Sequence, residues 1–508
     1  MSKHVRSRSN NSHSNIVALL VALGACTGEL DRAPSSSSLP EQTRRDELFW
    51  KHRLSVPPDV APRPLVGRGL DQALSLAREL RDAELAELES ILREVVEIGP
   101  GAIPVLVDGL FAEDREAARR NLVLALIALD DPRGAGPLCG LLRDSSAQVA
   151  LLAARGLGEL AVPWTLPRLI KVVGRYDVTP WLIVRVEAAA ALLRFQNYSG
   201  VPFLLKVLKE HTALEDNRDR EWGRRLRIVF EKEAAARALA GLIGEDFGYS
   251  PNAPYPRQER AILEMEDWWS EHATELWAGA PPLSDPELLC RIGWLADGLA
   301  LYQIRTVDNA RFILKSLGPP ALPALERHLD DPRFYVRVHL LEALAQMGAT
   351  LAPQAESLAR ILAPHLADPE PAIRTQAVRI LGTARMRAAS SQVVTALGDA
   401  DGSVRLSAIR VLGLIGGPAA RELLRPLAES KVADDFRAGA RASLVRLGDR
   451  EALEALLDDL LDPDLRAQAS ALEALGELGA PISEFPLGGP LELREPHSTR
   501  IRDTLAGP

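Results

Sequence analysis

Apolar residues recur along most of this chain at intervals of three and four, the period of a helix that buries one face. The clearest stretches lie in the C-terminal half, where an acidic turn leads into an apolar residue and an arginine, then into an amphipathic segment ending near glycine. Four copies read DPRFYVRVHLLEALAQMG from Asp331, DPEPAIRTQAVRILGTAR from Asp368, DADGSVRLSAIRVLGLIG from Asp399 and DPDLRAQASALEALGELG from Asp462. A weaker copy, DDFRAGARASLVRLG, begins at Asp434. Their arginines, Arg337, Arg374, Arg405, Arg437 and Arg466, are spaced by 37, 31, 32 and 29 residues, an interval at which helical hairpins stack into arrays. A second, shorter helix fits between each copy and the next. In the N-terminal half DREAARRNLVLALIALDD, DSSAQVALLAARGLGELA and TPWLIVRVEAAAALLRFQ carry the same period, with an Ala-rich face that lets helices approach closely. The pattern predicts an all-α fold, a right-handed α-solenoid of about ten stacked helical hairpins between residues 70 and 480.

Length and composition agree with that expectation. A chain of 508 residues exceeds one ordinary core, so it needs several domains or an array in which every unit buries its own face. Apolar residues make up 47% and charged residues 25%, while aromatics are only 5%, so alanine and leucine must do most of the packing. The formal charge of -9 argues against non-specific nucleic-acid binding.

Two further segments, IGPGAIPVLVDGL from Ile98 and LGPPALPALERHL from Leu317, share a glycine-proline entry and an internal proline at Pro104 and Pro323. Together with the acidic-turn copies they resemble the HEAT repeat family, including HEAT-like repeats of the phycobilin-lyase type. The resemblance implies hairpins whose first helix is kinked at the internal proline, and a structural ladder between repeats. In Asp331/Arg337, Asp368/Arg374 and Asp399/Arg405 the spacing is six. The ladder reading has the turn carboxylate cap backbone amides and pair with arginine in the stack. A row of arginines lining a groove for acidic ligands is the competing reading, and the ladder carries more weight.

The repeats are expected over residues 70–210 and 302–480, interrupted by an aromatic-rich insert at 211–301. Five of the eight tryptophans lie in that insert: Trp222, Trp268, Trp269, Trp277 and Trp294. Large rings there either fill a joint between two half-solenoids or present a protein-binding hot spot. Candidate contacts for the second reading are Trp268, Trp269, Trp277, Tyr249 and Tyr255. Residues 481–508 are rich in Pro and Gly and are expected to leave or drape over the last repeat without forming a hairpin.

The N-terminus reads as an export signal over residues 1–25, with basic residues Lys3, Arg6 and Arg8 ahead of the uncharged run Ile16 to Ala25. That run is too short to span a bilayer. It ends in Leu23-Gly24-Ala25-Cys26, which resembles the bacterial lipobox and implies lipid attachment at Cys26. Removing the signal takes the net charge to about -12. Residues 26–69, with serines from Ser35 to Ser38, are expected to be a polar tether. Thr27 stands where some lipoproteins carry an inner-membrane retention aspartate, so the expected place is the outer membrane of a Gram-negative-type envelope, facing the periplasm.

Chemistry is less evident. No Cys-x-x-Cys pair, H-E-x-x-H, G-x-S-x-G or P-loop occurs, so metal ligands and catalytic residues are not expected. Cys139 and Cys290 read as small core residues that do not pair. The acidic cluster Glu264, Glu266 and Asp267 beside Trp268 suggests a sugar site only if a cleft exists there. The expected function is protein binding by a membrane-tethered scaffold or adaptor that is not an enzyme, with other proteins as partners and no nucleic acid. The sequence identifies no small-molecule substrate and no cofactor. A chromophore or cofactor lyase and a structural subunit of an envelope complex are the alternatives.

Overall fold

The computed structural model describes residues 65–506 apart from 175–178, 180, 211–221, 302, 417 and 431–433. The export signal, Cys26 and most of the tether lie outside the described residues. Among the described residues the fold is helical throughout, without strands, and forms the expected α-solenoid. Among the described residues no helix is long and apolar enough to cross a membrane.

Contacts divide the chain into two compact units, one ending at Ala324 and one beginning at Leu325. The first opens with α1 (Arg68–Asp82) and α2 (Leu85–Ile98), followed by three hairpins. These are α3 (Ile103–Phe111) with α4 (Glu116–Ala128), α5 (Ala135–Leu141) with α6 (Ala147–Leu160), and α7 (Leu166–Gly174) with α8 (Leu182–Arg194). A fourth pairs α9 (Val201–Glu210) with α10 (Trp222–Ile243). Second helices stack in order, α4 on α6, α6 on α8 and α8 on α10.

The stack is tight because glycine and alanine face each other across it. A Cβ placed on Gly158 of α6 would lie 2.8 Å from the Cβ of Ala191 on α8, so no larger residue fits at that spacing. Buried amides fasten the layers as well: Asn121 on α4 donates to the carbonyls of Leu80 and Ala83, at 2.9 and 3.1 Å.

The aromatic-rich segment belongs to the first unit. It forms α11 (Tyr255–Gly279) and α12 (Pro286–Gly298), which lead into α13 (Ile304–Ser316). All three fold back onto the first helices: α11 along α9, α12 against the 3-10 turn at Pro163–Thr165, and α13 against α7. Asn197 secures the return by donating to the carbonyls of Ser316 and Leu317, at 3.0 and 3.4 Å. Residues 304–324 therefore belong with the first unit, although their sequence pattern places them with the later repeats.

α14 (Leu322–Glu326) spans the boundary, and the second unit continues with α15 (Phe334–Met347), then α16 (Ala355–Leu362) with α17 (Pro371–Thr383), and α18 (Ser390–Ala396) with α19 (Gly402–Ile415). Next come α20 (Pro418–Ala428) with α21 (Asp434–Arg446), and α22 (Arg450–Leu461) with α23 (Leu465–Glu477). Second helices again stack consecutively from α15 to α23.

The expected mid-helix kink takes a different form. Pro104 stands in the first turn of α3 and Pro323 in the first turn of α14, each after a separate 3-10 turn. Proline costs nothing there because its missing amide would have no helical partner. Gly99 and Gly318, at φ 81° and 73°, end the preceding helix in the left-handed region that glycine adopts without strain.

The tail covers the last repeat, and does so as a helix. Leu491–Ala506 form α24, which lies against α22 in the place of a further first helix. Phe485 and Ile501 are buried with Leu457, Leu460 and Leu475, so the apolar end of the array drives the tail into a helix that covers it.

Close approach makes the helix spacing testable. A Cβ on Gly413 of α19 would lie 2.6 Å from the Cβ and 2.7 Å from the Cα of Ser443 on α21. Gly413→Ala should destabilise the second unit by about 1–3 kcal/mol. Gly241→Ala on α10, where nothing lies within 4 Å, should stabilise by up to about 1 kcal/mol. Calorimetric midpoints of the two variants moving in the same direction would contradict this account.

Candidate protein-binding surface

The structure divides the aromatic residues that the sequence groups together. Trp277 and Tyr249 are buried, which corrects their place among candidate partner contacts. The Trp277 ring meets Tyr198 edge-on at 5.2 Å and lies within 2.5 Å of where a Cβ on Gly318 would stand. Burial pushes the Tyr249 phenol up to about 12. Trp269 is half-buried, 6.4 Å from Tyr198. Trp268 stacks on His272 at 4.4 Å, one turn along α11, and the His272 Nδ1 lies 2.8 Å from the Trp268 carbonyl oxygen. Only Tyr255 of the five is exposed, at 40%. Trp269 and Trp277 therefore fasten the folded-back segment to Tyr198 of the array, while Trp268 packs along its own helix.

A residue that the sequence does not single out belongs to the same fastening. Arg291 on α12 is 1% exposed, with its guanidinium carbon 4.5 Å from the Trp164 ring centroid and 5.7 Å from that of Trp294. Glu287, one turn earlier, accepts from it at 2.8 Å. No local pattern marks this arginine, because Trp164 comes from a different repeat.

The turn aspartates form a ladder with a consistent geometry. Each guanidinium holds its own turn by the backbone: Arg337, Arg374 and Arg405 donate from Nη1 to the carbonyls of Asp331, Asp368 and Asp399, each at 2.8 Å. The carboxylates of Asp368 and Asp399 instead receive the arginine of the preceding repeat. Arg337 reaches Asp368 at 3.2 Å, and Arg374 grips Asp399 through Nε and Nη2, both at 2.8 Å. The same oxygens also cap amides two residues on, Glu370 at 2.9 Å and Asp401 at 2.8 Å. Asp331, at the start of the series, is held by its own Arg333.

The last rung corrects the sequence register. Arg466 is exposed, and Gln468, six residues after Asp462, takes the arginine's place and donates to the Asp462 carbonyl at 2.7 Å. No further acidic turn follows, and the Gln468 Oε1 accepts the Gly488 amide at 2.9 Å. An amide suits this position because it both donates and accepts. An unforeseen rung exists in the first unit, where Arg119 donates to both Asp144 oxygens at 3.1 and 2.9 Å. Its own turn residue, Asp114, stands five residues earlier and not six, which hid it.

The second helices present side chains at two equivalent positions. Five residues after the ladder position stand Glu342, Arg379, Arg410, the buried Ala442 and Glu473; nine residues after it stand Gln346, Thr383, Leu414, Arg446 and Glu477. Arg410 on α19 contacts Glu473 and Glu477 on α23, each at 2.8 Å, across the intervening α21. A side chain bridges second neighbours in this way only where the row of second helices is concave. Leu414 is 46% exposed in the middle of that surface.

Elsewhere a groove of about 290 Å³ opens between α16 and α18, walled by Ala359, Ala363, Ala389 and Ala396 with Gln392 and Asp399 at its edge. Asp399 is already held by Arg374, so the groove offers no free acid, base or nucleophile. Cys139 is buried and Cys290 exposed, and both are free thiols. Burial pushes the Cys139 thiol up to about 11. Among the described residues no group of three or more His, Cys, Asp or Glu is placed to hold a metal ion.

Residues 359–445, from α16 to α21, match the family model for HEAT repeats. No curated protein sequence matches the chain. Among solved structures the chain is similar to human deoxyhypusine hydroxylase in complex with glycerol, at 18% identity over 69% of this chain and 99% of that one, with a TM-score of 0.19. It is also similar to Kap121p bound to Ste12p, at 13% identity and a TM-score of 0.31. That match covers 91% of this chain but 55% of the other, so the chain spans about half of Kap121p's length.

The ladder makes stability depend on pH. Hydrogen bonds from Arg374 hold the Asp399 carboxyl below its ordinary value, and those from Arg333 do the same for Asp331. A carboxyl depressed in the folded state stabilises fully above its unfolded pKa, about 3.9, and that stability is lost as pH falls through the folded value. Thermal midpoints should therefore fall below about pH 4. Asp399→Asn should cost roughly 1–3 kcal/mol at neutral pH and shrink the acid-dependent loss; an unchanged acid profile would remove Asp399 from this role.

Proposed function

We propose that this chain is a protein-interaction scaffold of the bacterial envelope, tethered to the membrane through a lipid on Cys26 and binding partner proteins along the row of second helices. The observation that carries the reading is the concave row itself. Positions that recur once per repeat bear acidic, basic and polar groups around the exposed Leu414, on a framework held rigid by glycine-spaced stacking. A surface of that kind can grip an extended or helical partner over several repeats. Catalysis would need a convergent set of reactive groups, and the residues of this surface pair with one another.

The tether rests on the sequence from Ile16 to Cys26, and the outer membrane facing the periplasm is the compartment that Thr27 favours. Cys26→Ser should move the protein from the membrane fraction to the soluble fraction. Retention in the membrane fraction would count against lipid anchoring.

Partner binding is tested by crosslinking in intact envelopes and capture of the full chain. Arg379→Glu combined with Leu414→Asp should abolish specific capture without shifting the melting midpoint, since Arg379 is exposed and Leu414 half-exposed. Trp268→Ala combined with Trp269→Ala should melt earlier yet keep the partners. If the first variant retains its partners and the second loses them at unchanged stability, the binding surface is the aromatic segment and not the second-helix row.

A further inference from the structure

The tail that closes the array is apolar on its outer side as well as its inner one. Inside, Phe485 and Ile501 are buried with Leu457, Leu460 and Leu475. Outside, Leu465 at the start of α23, Leu487 in the preceding turn of the tail, and Leu491 and Leu493 in the first turn of α24 are each between 45% and 55% exposed. A terminal repeat needs a polar outer face if it is to end an array in water, and exposed apolar patches of this kind mark interaction sites. We infer that this end is an interface, and that its occupant is the same end of a second copy of this chain, paired about a twofold axis.

Backbone bonds gather the four leucines into one place. Gly488 donates its amide to the Gln468 Oε1 on α23 at 2.9 Å, and a Cβ on Gly488 would stand 3.3 Å from the Leu465 Cδ1, so the turn that carries Leu487 lies against the start of α23. Two tight turns follow: the Gly489 amide bonds the Pro486 carbonyl at 2.9 Å, and the Leu493 amide bonds that of Pro490 at 3.0 Å. The buried Arg494 then fixes the start of α24, donating from Nε to the Gly489 carbonyl at 2.9 Å and from Nη1 to those of Leu460 and Asp462 at 2.8 and 3.0 Å. The patch is therefore a built surface, anchored to the last two helices of the array.

Charge selects the occupant. Arg466 stands beside Leu465, and Glu492 stands between Leu491 and Leu493, all of them exposed. A twofold pair sets the α23 side of each copy against the α24 side of the other, so leucine meets leucine and each copy's Arg466 meets Glu492 of its mate. A patch with opposite charges on its two flanks is complementary to itself, whereas a uniformly acidic or basic partner would oppose one flank. Pairing at this end leaves the row of second helices open. Two binding rows in one assembly would raise avidity for a partner, a consequence that rests on the scaffold reading, although the pairing itself does not.

Association is read by sedimentation velocity on the purified full chain in mild detergent, across a dilution series in the micromolar range. The wild type should show a monomer–dimer equilibrium. Leu465→Glu combined with Leu493→Glu should raise the dimer dissociation constant at least about a hundredfold without lowering the melting midpoint of the monomer, since both side chains face solvent. Arg466→Glu alone should weaken the dimer at least about tenfold, and adding Glu492→Arg should restore it. A photo-crosslinking residue placed at position 487 should give, in intact envelopes, a product of twice the chain's mass. A monomeric wild type, or a dimer that the leucine substitutions leave intact, overturns the proposal. So does failure of the double charge reversal to recover the dimer. Species that grow beyond the dimer with concentration would replace twofold pairing by head-to-tail stacking. A crosslink to a different protein would replace the second copy as the occupant, and earlier melting of a monomeric leucine variant would assign the cover to another part of this chain.

Discussion

The distance between neighbouring second helices governs this molecule. Wherever α6 meets α8, or α19 meets α21, glycine on one helix faces the backbone of the next, and a single added carbon would stand inside contact distance. Dispersion contacts summed along such interfaces are individually small and collectively large, and they fall off steeply when the gap widens. A hairpin cannot bury its apolar face alone, so the array exists only as a stack, and its curvature follows from how closely the stack closes on one side. The bridge from Arg410 across α21 to α23 is a consequence of that closure.

Charge is arranged around the same spacing. The ladder arginines first secure their own turns through backbone carbonyls and then use the remaining edge to reach a neighbour, so each rung couples local geometry to the repeat interval. Where the series begins, Asp331 uses its own Arg333. Where it ends, Gln468 replaces arginine and receives the tail. These substitutions show that an array needs different chemistry at its ends, where a neighbour's group is absent.

Helix positions, acidic turns and the repeat interval were legible from the residues because each is a local property: apolar period, turn-forming aspartate and helix-ending glycine act over a few positions. The backbone role of the ladder arginines was less visible, since a spacing of six does not reveal whether guanidinium meets carboxylate or carbonyl. Arg466 marks the repeat interval in the last copy, while the neighbouring Gln468 makes the contact to the turn carbonyl that arginine makes in the other rungs. The aromatic segment was recognised as compositionally distinct, but its composition could not say which rings point inward.

By itself the sequence determined that the chain builds an α-solenoid, roughly where each hairpin starts, and that an aspartate and an arginine recur with it. Tertiary structure alone decided that α11 to α13 fold back onto the first helices, that Trp277 and Arg291 lie buried against Tyr198 and Trp164, and that the tail closes the array as a helix. The physical reason is separation along the chain. Periodicity records which face of a helix avoids water, but the identity of the surface that covers it depends on residues a hundred or more positions away, as Asn197 and Ser316 do on one another.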